Sequence, residues 1–409
     1  MKKLTKVISI VAASAMMFGL SACGSSSSGS STSGGAVTLT VWGPQEDQAK
    51  STSWLQTMEK KFASENSGTK FTWKNVVVPE GDASKKVKTD AKAAADVYMF
   101  ANDQLGDLLK ANAIAELSDD AAKQVKEQNS DSMIQSVTGT DGKLYGVPFT
   151  GNTWFMYYNK SKFSSSDIKN LDTMLSKGKV TFPISNSWYL PAFYLGVGGS
   201  SLFGSKGSDA KAGVNFAKAA SVTAYLTKLV ANPNFADDSN GSGLAAVQSG
   251  KADAFFSGTW DSENAKKALG DNYAAAPAPT YTLDGKSVQI KPFSGSKAIA
   301  ANPNSKSPEW ASKFAAFLGS KDAQQEHFKM RGIVPSDKTL AEDSSVKADV
   351  AAVAQINTVS DISVNQPIIS EMSIFWTPCE TFGKSLANKS VNSGNGADKT
   401  TAWLNSYKK

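Results

Sequence analysis

The sequence predicts an α/β fold in two lobes, each a mostly parallel sheet flanked by helices. Three observations carry this. At 409 residues the chain exceeds one typical domain. One β-α-β-α-β series runs from Val37 to Ala111 and a second α/β series from Val180 to Ala276, and such alternation implies doubly wound sheets. Between them in importance stands Ala252–Trp260. Its apolar run Ala252–Phe256 reads as a buried strand, Ser257 and Gly258 break it, and Thr259 can cap a helix that Trp260 opens. A strand of this kind delivers its C-terminal end into the crevice where α/β proteins hold ligands, here with an indole at the mouth. Taken alone, Trp260 reads more simply as a plug for the strand–helix joint.

The first residues are a targeting segment and not part of the fold. Lys2, Lys3 and Lys6 precede an apolar Val7–Leu20, which is shorter than the ~20 residues of a spanning helix. Leu20-Ser21-Ala22-Cys23 resembles a bacterial lipoprotein signal, which implies a signal peptide over 1–22 and a diacylated Cys23 as the mature first residue. Gly24–Gly35 is almost wholly Ser and Gly, a composition that cannot bury a core and serves as a tether, so 23–36 is set aside as anchor and linker. No later stretch is apolar enough to span a membrane, and the body is expected outside the cytoplasm at the membrane surface.

Losing the three leading lysines takes the formal charge from +6 to +3, too mild for nucleic-acid binding. Arg331 is the single arginine, and scarce arginine argues for an uncharged ligand. With Cys23 lipidated, Cys379 has no partner and reads as a buried, inert thiol.

The elements follow in order. Val37–Trp42 is a strand ended by Gly43-Pro44, and Gln48–Ser64 a helix with Trp54, Leu55, Met58 and Phe62 on its core face. Lys70–Val78 is a strand closed by Pro79-Glu80-Gly81, and a Lys/Ala-rich helix runs to about Ala93. Ala95–Phe100 is a third strand, and Asn102-Asp103 caps a helix to Ala111. Thr140-Asp141-Gly142-Lys143 signals a hairpin turn, followed by Leu144–Pro148 and Trp154–Tyr158. Val180–Ile184, a helix from Trp188 to Leu195, long Ala210–Val230 and shorter Gly243–Ser249 lead to the central strand and helix. Tyr273–Ala276, a punctuated loop at Pro277-Ala278-Pro279 and Asp284-Gly285, and strand Lys297–Ala301 come next. Pro308–Met330 reads as two helices broken at Gly319-Ser320, then Ala341–Asn357, Glu371–Asn388 and Ala397–Lys408 are helical.

Several chemistries lack their residues. His327 is the only histidine, which excludes a multi-histidine metal site and argues against a Ser-His-Asp triad; it reads as an exposed or satisfied helix residue. Gly199–Gly204 is followed by Ser205 and not lysine, and Gly196-Val197-Gly198 lacks the third glycine of a dinucleotide loop. No catalytic residue, metal or cofactor is expected. A glycosidase needs only two carboxylates, and Glu46, Asp103, Glu371 and Glu380 are candidates, but no spacing singles out a pair.

Gly258-Thr259-Trp260, the run Gln366–Trp376 with Met372-Ser373-Ile374-Phe375-Trp376, and the Tyr145-Gly146-Val147-Pro148 and Tyr158-Asn159-Lys160 pair resemble the family 1 extracellular solute-binding proteins of carbohydrate ABC importers, the maltose-binding group. The resemblance implies a two-lobed, class II periplasmic-binding-protein fold with hinge crossings. Its lobes would be discontinuous: 37–150 plus 299–345, and 151–298 plus 346–409. By the same resemblance Trp260, Trp376 and Trp188 stack on sugar rings, Asp103 holds hydroxyls, and Gln45 and Glu46 lie in the first loop. Phe100 stands where an indole is usual, Gln104 replaces an arginine, and Asn152 replaces a carboxylate on the crossing strand. Glutamine and asparagine still donate and accept, which keeps a neutral sugar in play. Asp103 reads equally as a helix cap and Trp188 as core packing. The implied protein is a lipid-anchored monomer that closes over a neutral oligosaccharide, maltose or maltooligosaccharide first, and delivers it to a permease. Another neutral oligosaccharide and, behind it, a tethered glycoside hydrolase are the alternatives.

Overall fold

The computed structural model describes residues 35–50 and 52–408, so the expected signal peptide, Cys23 and nearly all of the tether lie outside the described residues. Its strands are β1 (Ala36–Gly43), β2 (Lys70–Val77), β3 (Val97–Ala101), β4 (Val147–Asn152), β5 (Phe155–Asn159), β6 (Val180–Phe182), β7 (Ser201–Leu202), β8 (Val214–Asn215), β9 (Phe235–Asp237), β10 (Ala254–Ser257), β11 (Tyr273–Ala276), β12 (Thr280–Leu283), β13 (Lys286–Gln289), β14 (Phe293–Ala301) and β15 (Val364–Asn365). They build two main sheets. The first has the order β15-β14-β3-β1-β2, with β4 also on β14; the second has the order β11-β5-β10-β6-β9.

The two-lobed α/β architecture is as expected; among the described residues three of the five strand pairings in the first sheet and two of the four in the second are parallel, and the rest are antiparallel. Parallel pairing joins β1 to β2 and β3 in the first sheet, and β6 to β9 and β10 in the second. These are the strands linked by helical crossovers, which demand parallel strands. Antiparallel strands come from elsewhere: β14 lies against β3 and β4, and β5 against β10 and β11. They belong to the passages between sheets, where a strand arrives from the other lobe without a crossover helix.

Each sheet is covered on both faces. Leu39, Val41, Val97, Met99 and Ile299 pack under the helices carrying Trp54, Phe62 and Phe314, while Tyr98, Phe100, Ala298 and Ala300 pack on the opposite face. The second sheet buries Met156, Phe182 and Phe256 on one side and Phe155, Tyr157 and Phe255 on the other. Strands buried on two faces read as continuous apolar runs, which explains why β3 and β10 are legible in the sequence.

The passages between the sheets converge. Only two residues separate β4 from β5, and the Thr153 hydroxyl donates to the Phe293 carbonyl at 2.8 Å. The start of β14 pairs in parallel with β15, and the Gln366 N–H donates to the Ser294 carbonyl at 2.8 Å. Three chain segments therefore run side by side at the root of the gap between the sheets.

Several helices are shorter than periodicity suggests, each for a local reason. The first runs Trp54–Glu65 because the Gln48 side chain is spent on the turn after β1, donating to the Gly43 carbonyl at 2.7 Å. The second stops at Val87, and Asp90 caps the turn beyond it by accepting from the amides of Lys92 and Ala93. Ala210–Val230 is not one helix: Gly213 takes φ +57°, Val214–Asn215 forms β8, and the helix proper is Ala219–Leu229. Ala341–Asn357 divides at Asp349, whose carboxylate caps Val350–Asn357 by accepting from the Ala352 amide at 2.9 Å.

Candidate functional site

The ends of β10 and β3 place the central residues. After β10 the chain turns at Gly258 into a 3-10 turn, Thr259–Asp261, and Trp260 leaves it with its side chain outward. Trp260 is 45% exposed, the only tryptophan among the large exposed hydrophobics of the described residues. Gly258 is required beneath it. A Cβ there would lie 2.1–2.5 Å from three atoms of the benzo ring, on its face. Thr259 is not the cap expected of it: its hydroxyl donates to Gln355 Oε1 at 3.0 Å, while Ser257 donates to Asp261 at 2.6 Å.

Trp188 stands beside Trp260, with ring centroids 6.1 Å apart and planes tilted by 38°. Its loop is held by Asn186 Oδ1, which accepts the Trp188 amide at 2.8 Å, and its indole N–H donates to Gln366 Oε1 at 2.7 Å. Gln366 in turn stands near Asp103, in the turn after β3, and lowers the pKa of its carboxyl. Asp103 is half-buried, and its side chain caps no helix. Burial raises its carboxyl to about 6, against the lowering effect of its own backbone amide and of Gln366. The turn is fixed from behind by Asn102, whose Oδ1 accepts the Ser296 amide at 3.1 Å, a close approach that the missing Cβ of Gly295 permits.

From the first sheet Lys297 of β14 reaches the same place. Its Nζ lies 3.2 Å from Glu80 Oε1 and 5.8 Å from the Trp260 ring centroid. Asp103, Gln366, Trp188, Trp260, Lys297 and Glu80 thus form a chain of contacts across the gap between the sheets, with aromatic faces from one lobe and charged or polar groups from the other.

The remaining expected residues divide. Trp376 is half-buried on helix Ser373–Ala387, with its ring edge-on to Phe293 at 6.2 Å. Phe293 pairs with β15, whose continuation carries Gln366, so Trp376 and Trp188 attach to the same strand pair. Asn152 is half-buried opposite Gly295 at the end of β4. Gln45 and Glu46 are exposed in the 3-10 turn after β1. The next residue, Asp47, anchors that turn: its Oδ1 is 3.0 Å from His327 Nε2 and 3.2 Å from Arg331 Nε. Burial pushes the Asp47 carboxyl up, but His327 and Arg331 outweigh it and hold the group below its ordinary value. His327 is therefore a buried helix residue, bonded through Nε2 and stacked on Trp54 at 3.9 Å, with its Nδ1 left without a hydrogen-bond partner among the described residues.

Two residues leave the site. Phe100 is fully buried, in contact with Tyr98 and closed in by Gly146, so it is core and does not wall the cleft. Gln104 is also buried; its Oε1 accepts the Ser84 amide and its Nε2 donates to the Glu80 carbonyl, both at 2.6 Å. Its amide is spent holding the Glu80 turn, and Gln104 positions where it was expected to touch. Conversely, Lys297 and Glu80 were missed. The available signal was a single lysine inside the apolar run Phe293–Ala301. Cys379 is a buried free thiol whose burial raises its pKa well above the ordinary value, as expected of an inert cysteine.

Two α/β lobes joined by adjacent crossings, with aromatic and polar side chains facing each other between them, define a binding protein for a solute held in the gap. The chain belongs to the bacterial extracellular solute-binding proteins, whose family model matches residues 57–354. It is 28% identical over 420 residues to the maltodextrin-binding protein MdxE of Bacillus subtilis (strain 168), covering 95% of each chain. It is 28% identical over 412 residues to a galactooligosaccharide-binding protein of the same organism, covering 95% of this chain and 93% of that one. A structure solved with acarbose shares 47% identity and a TM-score of 0.86, over 91% of this chain and 98% of that one. These relatives are named or solved as binders, and a hydrolase reading of Glu46, Asp103, Glu371 and Glu380 finds no support among them.

Proposed function

We propose that this protein captures a neutral oligosaccharide, a maltooligosaccharide first, by closing its lobes, and hands it to the permease of an ABC importer. The observation that carries this is the exposed indole of Trp260 beside Trp188, facing Asp103, Gln366 and Lys297. Sugar rings have apolar C–H faces and hydroxyl rims; indoles cover the faces and polar side chains hold the rims. Trp260, Trp188 and Trp376 supply faces, and Asp103, Asn152, Gln45 and Glu46 supply hydrogen bonds. The lobes are 37–150 with 299–345 and 151–298 with 346–409, the changes of lobe falling within the crossings, where β14 (Phe293–Ala301) and β15 (Val364–Asn365) are themselves strands of the first sheet. The maltodextrin-binding relative supports the choice of ligand. The protein acts as a monomer, anchored outside the cytoplasm through diacylated Cys23, a reading that the lysine-led apolar segment and Ser/Gly tether support.

A second ligand has its own observation. A relative equally similar to this chain is named for galactooligosaccharides, and Asn152 departs from the maltose pattern. A calorimetric panel of maltotriose, a galactooligosaccharide, raffinose, a xylo-oligosaccharide and an acidic sugar tests both. Heat from maltotriose and none from the acidic sugar is expected. Binding of the galactooligosaccharide with no response to maltotriose would replace the ligand and leave the receptor class.

A further inference from the structure

Lys297 is the one charged residue in β14 and the one residue of that strand that is not fully buried. The register of β14 against β4 shifts between Lys297 and Ala298. Irregularities of this kind re-aim a side chain and recur beside functional sites. Here the side chain extends from the first sheet to the indole of the second lobe, with Nζ 5.8 Å from the Trp260 centroid. The partner that holds it is Glu80, and the two side chains are only 22% and 12% exposed. Taking an ion pair this far from water costs desolvation that a surface pair avoids. Glu80 is itself held in place, since Gln104 donates to its carbonyl.

We infer that Lys297 is a specificity-determining residue of the proposed sugar site, donating to a hydroxyl on the rim of the ring that stacks on Trp260, with Glu80 as its anchor. The inference rests on the oligosaccharide reading above. An ammonium carries three donors, of which Glu80 takes one. Gly258 backs the benzo ring closely, so a stacking ring approaches from the cleft side, where Lys297 stands. The hydroxyls of such a ring lie at its edge, within the sweep of a flexible four-carbon stem. The Glu80 carboxylate paired with it offsets the lysine charge, so the pair reads hydroxyls without drawing in anionic sugars.

The test uses the full-length protein and calorimetry with maltotriose, or with the panel sugar that binds. The variant is Lys297→Met with Glu80→Gln, which keeps the stem and leaves no buried charge unpaired; its melting curve reports folding. Losing a hydrogen bond from a charged donor corresponds to roughly 10- to 100-fold weaker binding. The expected result is a loss of that size, together with one monodeoxy analogue whose own penalty disappears on the variant, because the missing hydroxyl and the missing ammonium are one contact. Affinity within twofold of the parent, while Trp260→Ala binds weakly, removes Lys297 from the site and leaves the oligosaccharide reading intact. Equal, additive penalties for every analogue assign Lys297 a structural role and overturn the inference. No heat from any panel sugar with the parent protein overturns the oligosaccharide reading, and this inference with it.

Discussion

Replacing Gly258 by alanine tests the stacking role of Trp260 without touching the tryptophan. Gly258 has φ −100° and ψ −171°, which alanine adopts without strain, so the backbone tolerates the change. The added Cβ does not fit, since it would stand 2.1 Å from one ring atom and 2.2 and 2.5 Å from two more. The indole has to swing away, and because it is 45% exposed it can do so at little cost to folding. What is lost is its face in the cleft. Covering the exposed 45% of the indole, at ~1.5–3 kcal/mol for a whole large side chain, is worth about 0.7–1.4 kcal/mol. Ring stacking adds ~0.5–1.5 kcal/mol, taking an aromatic pair as the proxy for sugar on indole. Together these predict binding roughly 10- to 100-fold weaker, at tenfold per ~1.4 kcal/mol. Calorimetry with maltotriose reads the affinity, and a melting curve checks the fold. Parent-like affinity in a folded Gly258→Ala protein would refute the argument, because it would mean that the position of the Trp260 ring does not matter to the ligand.

Other expectations follow from charge and address. Burial raises the Asp103 carboxyl to about 6, so it becomes protonated as pH falls through that value and loses acceptor capacity; affinity should drop below pH 6, and Asp103→Asn should flatten the titration. Glu59 is buried and raised to about 7 from 4.5, so the folded protein holds a proton that the unfolded chain releases, and stability should fall as pH rises from about 4.5 to 7. The loss is at most about 3 kcal/mol at ~1.4 kcal/mol per pH unit, and Glu59→Gln should remove it; identical melting curves at pH 5 and pH 8 for the parent would contradict this. Cys23→Ala should move the protein from the membrane fraction to the soluble one, and an unchanged distribution would reject the lipid anchor.

Much of the fold is legible in the chain because it rests on local pattern. Val97–Ala101 and Ala254–Ser257 are buried on both faces, and an apolar run with breakers behind it is the signature of that situation. Alternation of such runs with helical spacing is enough to derive the parallel cores of both lobes. Trp260 is legible for the same reason: the glycine before it and the strand before that announce a residue delivered to a strand end. Helix lengths are less so, since single side chains such as Gln48 and Asp90 end or delay them through bonds that periodicity does not register.

Tertiary structure decides where pairing is remote. β14 lies antiparallel to β3, nearly two hundred positions earlier in the chain, and nothing local in either strand specifies that neighbour or its direction. From the placing of β14 follow the antiparallel part of the first sheet, its run beside the other crossings, and the arrival of Lys297 at Trp260. Likewise Phe100 and Gln104 have side chains suited to a ligand, but their packing against Gly146 and the 80–84 turn consumes them. The sequence determined which side chains stand at strand ends, because strand ends follow from short-range pattern. Which of those side chains face the gap depends on contacts between distant segments, and only the assembled lobes supply them.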